Sequence, residues 1–144
     1  MATKPETTLY TAINKSLPRE LHREKMNNPY RGGTPDFFYS GNKADKWVEY
    51  KWLPRTPRSS FVPALSSLQI KWLRERHGEG RNVAVIVGSP TGVMILKALE
   101  WESPVVPDFS LSRPQAADWI MKETQYGKED AVISKRSSGD DAHV

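Results

Sequence analysis

Two acidic residues and a lysine lie close together in one aromatic segment of this 144-residue chain. Asp36 follows a proline, and after twelve intervening residues come Glu49 and Lys51, separated from each other by one residue. Side chains alternate between the two faces of a strand, so Glu49 and Lys51 are expected to share a face. Taken alone, such a pair indicates a surface ion pair of little energetic value.

A pairing of Asp36 with Glu49 would change that interpretation. The segments TPDFFYS and KWVEYKWL have the composition of strands, and GNKAD between them supplies turn residues, so a hairpin is predicted. The hairpin would bring the two carboxylates together, where they repel each other unless a cation lies between them. Such oxygen ligands suit Mg²⁺ or Mn²⁺, and Lys51 beside them would orient a water or neutralise a phosphate oxygen.

The elements around this hairpin predict an α/β protein. Helical patterns cover residues 3–17, 66–77 and 112–127, a short strand is expected at 21–27, and the apolar run NVAVIVGSP is followed by TGVMILKAL as its hairpin partner. The αβββαβ order indicates a central mixed sheet flanked by helices. We expect a single domain over residues 1–127 and a disordered tail over residues 128–144.

Composition narrows the classes of function. A formal net charge of +4 and a pI near 9.4 favour an anionic partner such as nucleic acid. The chain has no cysteine, and His22, His77 and His143 lack metal-ligand spacing, so thiolate and histidine metal sites are disfavoured. GEGRNVAVIVGSPTG lacks the phosphate-loop pattern, and its glycines indicate turns. No signal core or spanning apolar run is present, so an intracellular protein is expected.

The charged segment resembles a known family. Pro35-Asp36 and Glu49-x-Lys51 look like the signature of PD-(D/E)XK phosphodiesterases, the superfamily of many restriction enzymes and Holliday-junction resolvases. GTPD at 33–36, WVEYK at 47–51 and LSSLQ at 65–69 are similar, in the same chain order, to patterns of VRR-NUC and related phage-type nucleases. The resemblance covers roughly residues 3–96 and implies a restriction-endonuclease-like core.

The resemblance also implies roles for individual residues. Asp36 and Glu49 would bind one or two Mg²⁺ or Mn²⁺ ions, helped by the Tyr50 backbone carbonyl, while Lys51 would position the attacking water or stabilise the developing charge. An acidic residue of the first helix, here Glu6, would join the metal site. A polar residue at the start of the second helix, here Gln69, would support the lysine or a backbone phosphate.

Both added residues have a structural alternative. Glu6 could complete a capping box with Thr3, and Gln69 could complete one with Ser66. Glu6 shares a helical face with three apolar residues that must point to the core. Glu20 and Glu24 are rivals for the additional acidic position, and Glu24 ranks second to Glu6 because its strand is expected beside that of Asp36.

By resemblance, the protein would be a cytoplasmic DNA endonuclease, or one acting in the host cytoplasm if phage-encoded. Relatives commonly act as homodimers on branched DNA such as Holliday junctions, during DNA recombination. Basic residues near the site are natural phosphate contacts; these are Arg31, Arg55, Arg58, Lys71 and Arg74. The alternatives are a non-catalytic DNA- or protein-binding module on the same fold, and an α/β protein without a nucleic-acid role. The intact set of Asp36, Glu49 and Lys51 favours the enzyme.

Overall fold

The computed structural model describes residues 3–26 and 32–124. The elements in this part of the chain are, in order, α1 (Lys4–Lys15), β1 (His22–Lys25), β2 (Phe37–Ser40), β3 (Asp45–Trp52), α2 (Ser67–Gly78), β4 (Val83–Ser89), β5 (Gly92–Lys97), a short 3₁₀ helix (Glu100–Glu102) and α3 (Arg113–Glu123). The tail predicted at residues 128–144 and the last residues predicted for the third helix lie outside the described residues.

The five strands form one mixed sheet in the order β1-β2-β3-β4-β5. Neighbouring strands are antiparallel except β3 and β4, which are parallel and therefore need a crossover connection, here the segment that contains α2. The predicted αβββαβ order and both predicted hairpins are confirmed. The fold is α/β, with helices on both faces of the sheet.

Each helix begins at the residue that the sequence predicts as its cap. Thr3, Ser66 and Ser112 each accept a hydrogen bond from the backbone N–H three residues later, and the side chain at that later position bonds back to the cap. Each box satisfies two backbone donors that the first helical turn leaves without partners. At the other end of α1, the Arg23 guanidinium donates to the carbonyl oxygens of Asn14 and Pro18.

Two apolar clusters hold the sheet between the helices. On one face, α1 and α3 cover Val48 and Tyr50 of β3, and on the other face α2 packs with Trp47 and the apolar side chains of β4. The alternation predicted for β3 is therefore confirmed, and Glu49 and Lys51 lie on the α2 side. Among the described residues, no helix combines the length and the apolar character that crossing a membrane would need.

Candidate active site

The β2–β3 hairpin brings Asp36 and Glu49 together. Phe37 pairs with Val48, so Asp36, one residue earlier, lies opposite Glu49. Asp36 Oδ2 accepts a hydrogen bond of 2.8 Å from the backbone N–H of Tyr50, which fixes the direction of this carboxyl group. Sequence reasoning predicts this convergence from the register of a two-stranded hairpin.

Burial and mutual repulsion make it costly for both carboxyl groups to be charged. Glu49 is 4% exposed, and burial, with the adjacent Asp36 charge as a second cause, raises its pKa to about 8. Burial also raises the pKa of Asp36, against the opposing effect of the Tyr50 N–H. Neighbouring carboxyls whose charges interact in this way titrate as a pair. A divalent cation between them would remove their mutual repulsion.

Lys51 and Gln69 meet at the same oxygen of Glu49. Lys51 Nζ lies 3.6 Å from Glu49 Oε2, and the lysine side chain is 19% exposed. Gln69 Nε2 donates a hydrogen bond of 3.0 Å to that oxygen. Because Lys51 is on the site side of the strand and still reaches solvent, it can donate to a second anionic group.

Gln69 serves the helix and the site at once. Its Oε1 accepts from the Ser66 backbone N–H at 2.9 Å, which completes the capping box of α2. With the amide oxygen held there, the NH₂ group is directed toward Glu49. The capping role and the site role that the sequence leaves as alternatives therefore belong to the same side-chain conformation.

Glu6 also caps its helix, through a hydrogen bond of 3.1 Å that its Oε1 accepts from the Thr3 N–H. Its negative charge contributes to the raised pKa of both Asp36 and Glu49. Across residues 3–26 and 32–124, however, no three carboxylate or histidine side chains form a group that could hold a metal ion. Glu6 is thus a neighbour of the carboxylate pair and not a third converging ligand in this conformation.

The rival acidic residues are more open to solvent. β1 does pair with β2, as predicted, and places Glu24 opposite Phe38. The Glu24 side chain is 58% exposed and lies 3.7 Å from His22, while Glu20 is exposed in the turn before β1. These positions favour Glu6 over both residues as the acidic group that accompanies the pair.

The two glycines before Asp36 allow its loop to pack closely against the start of α2. Gly33 has a φ of +94°, and a Cβ at this position would lie 2.4 Å from the carbonyl oxygen of Leu68. Leu68 covers Gly32 and is 55% exposed, although the sequence pattern places it on the same side as the buried Leu73. The close approach joins the loop that carries Asp36 to the helical turn that carries Gln69.

The sequence-predicted phosphate contacts differ in their surroundings. Arg55 and Arg58 are exposed in the loop after β3, and Lys71 is exposed on α2. Arg74 is bonded to Glu102 by its Nη2 at 2.8 Å, so its charge is already paired within the protein. Arg31 lies outside the described residues.

Sequence reasoning missed a polar group buried behind the hairpin. The hydroxyls of Tyr39 and Tyr50 lie 2.7 Å apart, and the Tyr39 hydroxyl donates to Asn14 Oδ1 at 3.0 Å. Both tyrosines are fully buried, one on β2 and one on β3, and Asn14 is on α1. The bonds fix the register of the two strands that carry the carboxylates. Alternating aromatics in the sequence indicate a core face but not this hydrogen bonding.

The donor set fits a hard divalent cation. Asp36 and Glu49 offer converging carboxylate oxygens, which Mg²⁺ and Mn²⁺ prefer, and the site offers neither thiolate nor imidazole. Magnesium sites commonly use one or two protein carboxylates and fill the remaining positions with water and substrate phosphate. Two converging carboxylates are therefore sufficient for such a site.

A mixed five-stranded sheet flanked by helices in this order is the restriction-endonuclease-like fold. Among solved structures, the chain is similar to Hjc from Archaeoglobus fulgidus, a Holliday junction resolvase from an archaeal hyperthermophile. The TM-score is 0.51 and the sequence identity 14%, over 82% of this chain and 99% of that one. At this identity, the likeness establishes the fold. No protein-family model matches the chain, and no curated protein sequence matches it.

Proposed function

We propose that the protein is a divalent-metal-dependent DNA endonuclease that acts on branched DNA. The observation that carries the proposal is the convergence of Lys51 and Gln69 on a buried Glu49 that lies opposite Asp36. Burying Glu49 beside a second carboxyl costs free energy, and perturbed titratable groups of this kind are typical of functional sites. A module that only holds DNA has no use for this arrangement.

The residues have distinct proposed tasks. Asp36 and Glu49 would hold Mg²⁺ or Mn²⁺, and the Tyr50 carbonyl and Glu6 are the candidates for additional contacts. When bound, the cation would supply Lewis-acid activation and neutralise charge on the phosphate. Lys51 would donate to the attacking water or to a phosphate oxygen, where developing negative charge is best stabilised by a fixed donor. Gln69 and the Tyr50 N–H would hold the two carboxylates in place.

Branched DNA is the substrate that the observations favour. The fold is shared with a Holliday junction resolvase. The described residues belong to one sheet and its helices, with no additional helix-turn-helix or zinc module to read base sequence. The excess of positive charge suits a polyanion. We propose a homodimer in which two sites act on opposed strands.

A cleavage assay on linear, flap, nicked and four-way DNA, with Mg²⁺, Mn²⁺ or EDTA, tests the activity and the substrate class together. Asp36→Asn and Lys51→Ala should each lower cleavage by at least about a hundredfold, as losses of fixed charge stabilisation do, while binding of the four-way DNA survives. Asp45→Asn is the matched control, because Asp45 is an exposed carboxylate on β3, the strand that carries Lys51. It should leave cleavage unchanged.

Two outcomes would contradict the proposal. Wild-type protein that binds four-way DNA and cuts none of the substrates with either metal would be a binding module instead. Full cleavage by Asp36→Asn would place the chemistry elsewhere.

A further inference from the structure

The turn between β4 and β5 lines a cavity of about 330 Å³. The turn consists of Pro90 and Thr91, and the other lining residues include Leu9, Trp52 and Arg113. Trp52 directly follows Lys51, and Leu9 lies about one helical turn after Glu6. Because Trp52 pairs with Gly88, the cavity lies at the same end of β3 and β4 as Lys51. It opens on the α1 side of the sheet, whereas the Lys51 side chain lies on the α2 side.

Three hydroxyl groups form a fixed cluster at this cavity. Thr56, from the loop after β3, has its hydroxyl 2.8 Å from that of Ser89 and 2.8 Å from that of Thr91. Ser89 is 5% exposed, whereas Thr91 is exposed at the cavity wall. A hydroxyl donates one hydrogen bond and accepts up to two. The cluster thus joins the loop after β3 to the β4–β5 turn. The two 2.8 Å bonds use two of its three hydroxyl protons, and only the longer contact of 3.4 Å between Ser89 and Thr91 could use the third, so one O–H can donate to a ligand.

The cavity is also positively charged. Arg113 is half-buried at its wall, and within residues 3–26 and 32–124 it makes no ion pair. Arg55 immediately precedes Thr56, and none of the described lining residues is acidic. The Ser112–Gln115 capping box already occupies backbone N–H groups at the start of α3, so side chains are the groups available to a ligand.

We propose that this cavity binds a phosphodiester of the substrate DNA. The inference rests on the proposed nuclease function and names a contact beyond the metal site. A guanidinium with nearby hydroxyls matches a phosphate, and the half-exposed Trp52 ring offers a stacking surface for a sugar or a base. The volume lies at the lower end of the range for small-ligand sites, which suits one nucleotide.

The test compares Arg113→Gln with Lys97→Gln, which removes an exposed charge from the far end of β5. Both are made in the cleavage-inactive Asp36→Asn background, and the Kd for a four-way junction is measured over a range of salt concentrations. Loss of one phosphate contact should lower the slope of log Kd against log salt by about 0.9. Arg113→Gln should show this change, Arg113→Lys should restore the slope, and Lys97→Gln should leave it unchanged.

Two further measurements complete the test. Thr91→Val, which removes a hydroxyl without changing charge, should weaken binding several-fold at an unchanged slope. In protein with Asp36 intact, Arg113→Gln should raise KM and leave kcat within about twofold, since a contact made equally in ground and transition states affects KM alone.

An unchanged slope in a folded Arg113→Gln protein that still binds the junction would overturn the subsite, whether or not the wild type cuts DNA. A lowered slope in a protein that cuts nothing would support the subsite and reject the nuclease. Titration with thymidine 5′-monophosphate separates free nucleotide from DNA as the source of phosphate. Arg113-dependent binding of the nucleotide, with Arg113-independent binding of the junction, would overturn the assignment to DNA.

Discussion

The neighbours of Glu49 have opposing effects on its charge. Burial and the Asp36 carboxyl disfavour its charge, whereas Lys51 favours the charge and the Gln69 amide donates to the same oxygen. The result is a carboxyl group with a pKa near the pH at which cells operate. A carboxyl group with such a pKa can hold a proton when no cation is bound and lose it when a cation binds, as a metal ligand must.

The raised pKa predicts how the metal-free protein responds to pH. An unfolded Glu49 would titrate near 4.5 and the folded one near 8, so the folded state holds the extra proton between these values. The free energy of unfolding should consequently fall as the pH rises through that window, by at most about 1.4 kcal/mol per pH unit for one group. Urea unfolding in EDTA at several pH values measures this effect.

Glu49→Gln is the control for that experiment, because it keeps an acceptor for Gln69 and removes the titration. The difference in unfolding free energy between wild type and variant should change in favour of the variant as the pH rises. A wild type that gains stability relative to Glu49→Gln over the same pH window would show that the pKa of the Glu49 carboxyl is not raised.

At the scale of elements, α2 is a part of the site and not only a support for it. Its first turn contributes Gln69 to Glu49 and its Leu68 carbonyl contacts Gly33 of the loop before Asp36. A shift of this helix would displace both carboxylates. Changes in the first turn of α2 should therefore affect stability and activity in separable ways.

Gln69→Ala and Ser66→Ala separate the two roles of the helix cap. Each removes one half of the capping box and should cost about 1 kcal/mol of stability. Only Gln69→Ala also releases Glu49, and loss of such a supporting bond typically lowers activity by 10- to 100-fold. Chemical denaturation and cleavage rates measure the two effects. Equal cleavage by the two variants would leave Gln69 with a capping role alone.

Gly33→Ala tests the contact between the Asp36 loop and α2, with Gly80→Ala as its control. Both glycines have positive φ, +94° and +83°, so alanine is strained at either position by about 1 kcal/mol. Only at Gly33 would the new Cβ also meet backbone, whereas nothing lies within 4 Å at Gly80. Gly33→Ala should be the more destabilising by at least about 1 kcal/mol, and it alone should slow cleavage. Equal unfolding free energies would reject the contact.

At the scale of the whole molecule, the proposed homodimer predicts paired cuts. Two sites on opposed strands should convert a supercoiled plasmid with an extruded cruciform directly to linear product. Mixing wild type with excess Asp36→Asn should form dimers with one active site and shift the product to nicked circles, as gel electrophoresis would show. If added Asp36→Asn lowered the linear and the nicked product by the same factor, this result would contradict a dimer.

Much of the architecture could be predicted because its signals are local. Helix starts follow from capping boxes such as Ser66-x-x-Gln69, and the hairpins follow from strand composition around turn residues. The deep burial of Glu49 could not be predicted, because it depends on α2 and β4 closing over the strand from far along the sequence. For the same reason, alternation predicts that Glu49 and Lys51 share a face but not that both Lys51 and Gln69 reach one oxygen.

The parallel pairing of β3 with β4 has a consequence for the order of folding. Asp36 and Glu49 meet within one hairpin, which closes in microseconds, whereas the β3–β4 pairing must wait for the long connection through α2. We expect the two acidic side chains to come together before the buried surroundings of Glu49 are complete. A divalent cation that binds the early hairpin would speed folding as well as stabilise its product, so the ion would contribute to assembly of the molecule before it contributes to catalysis.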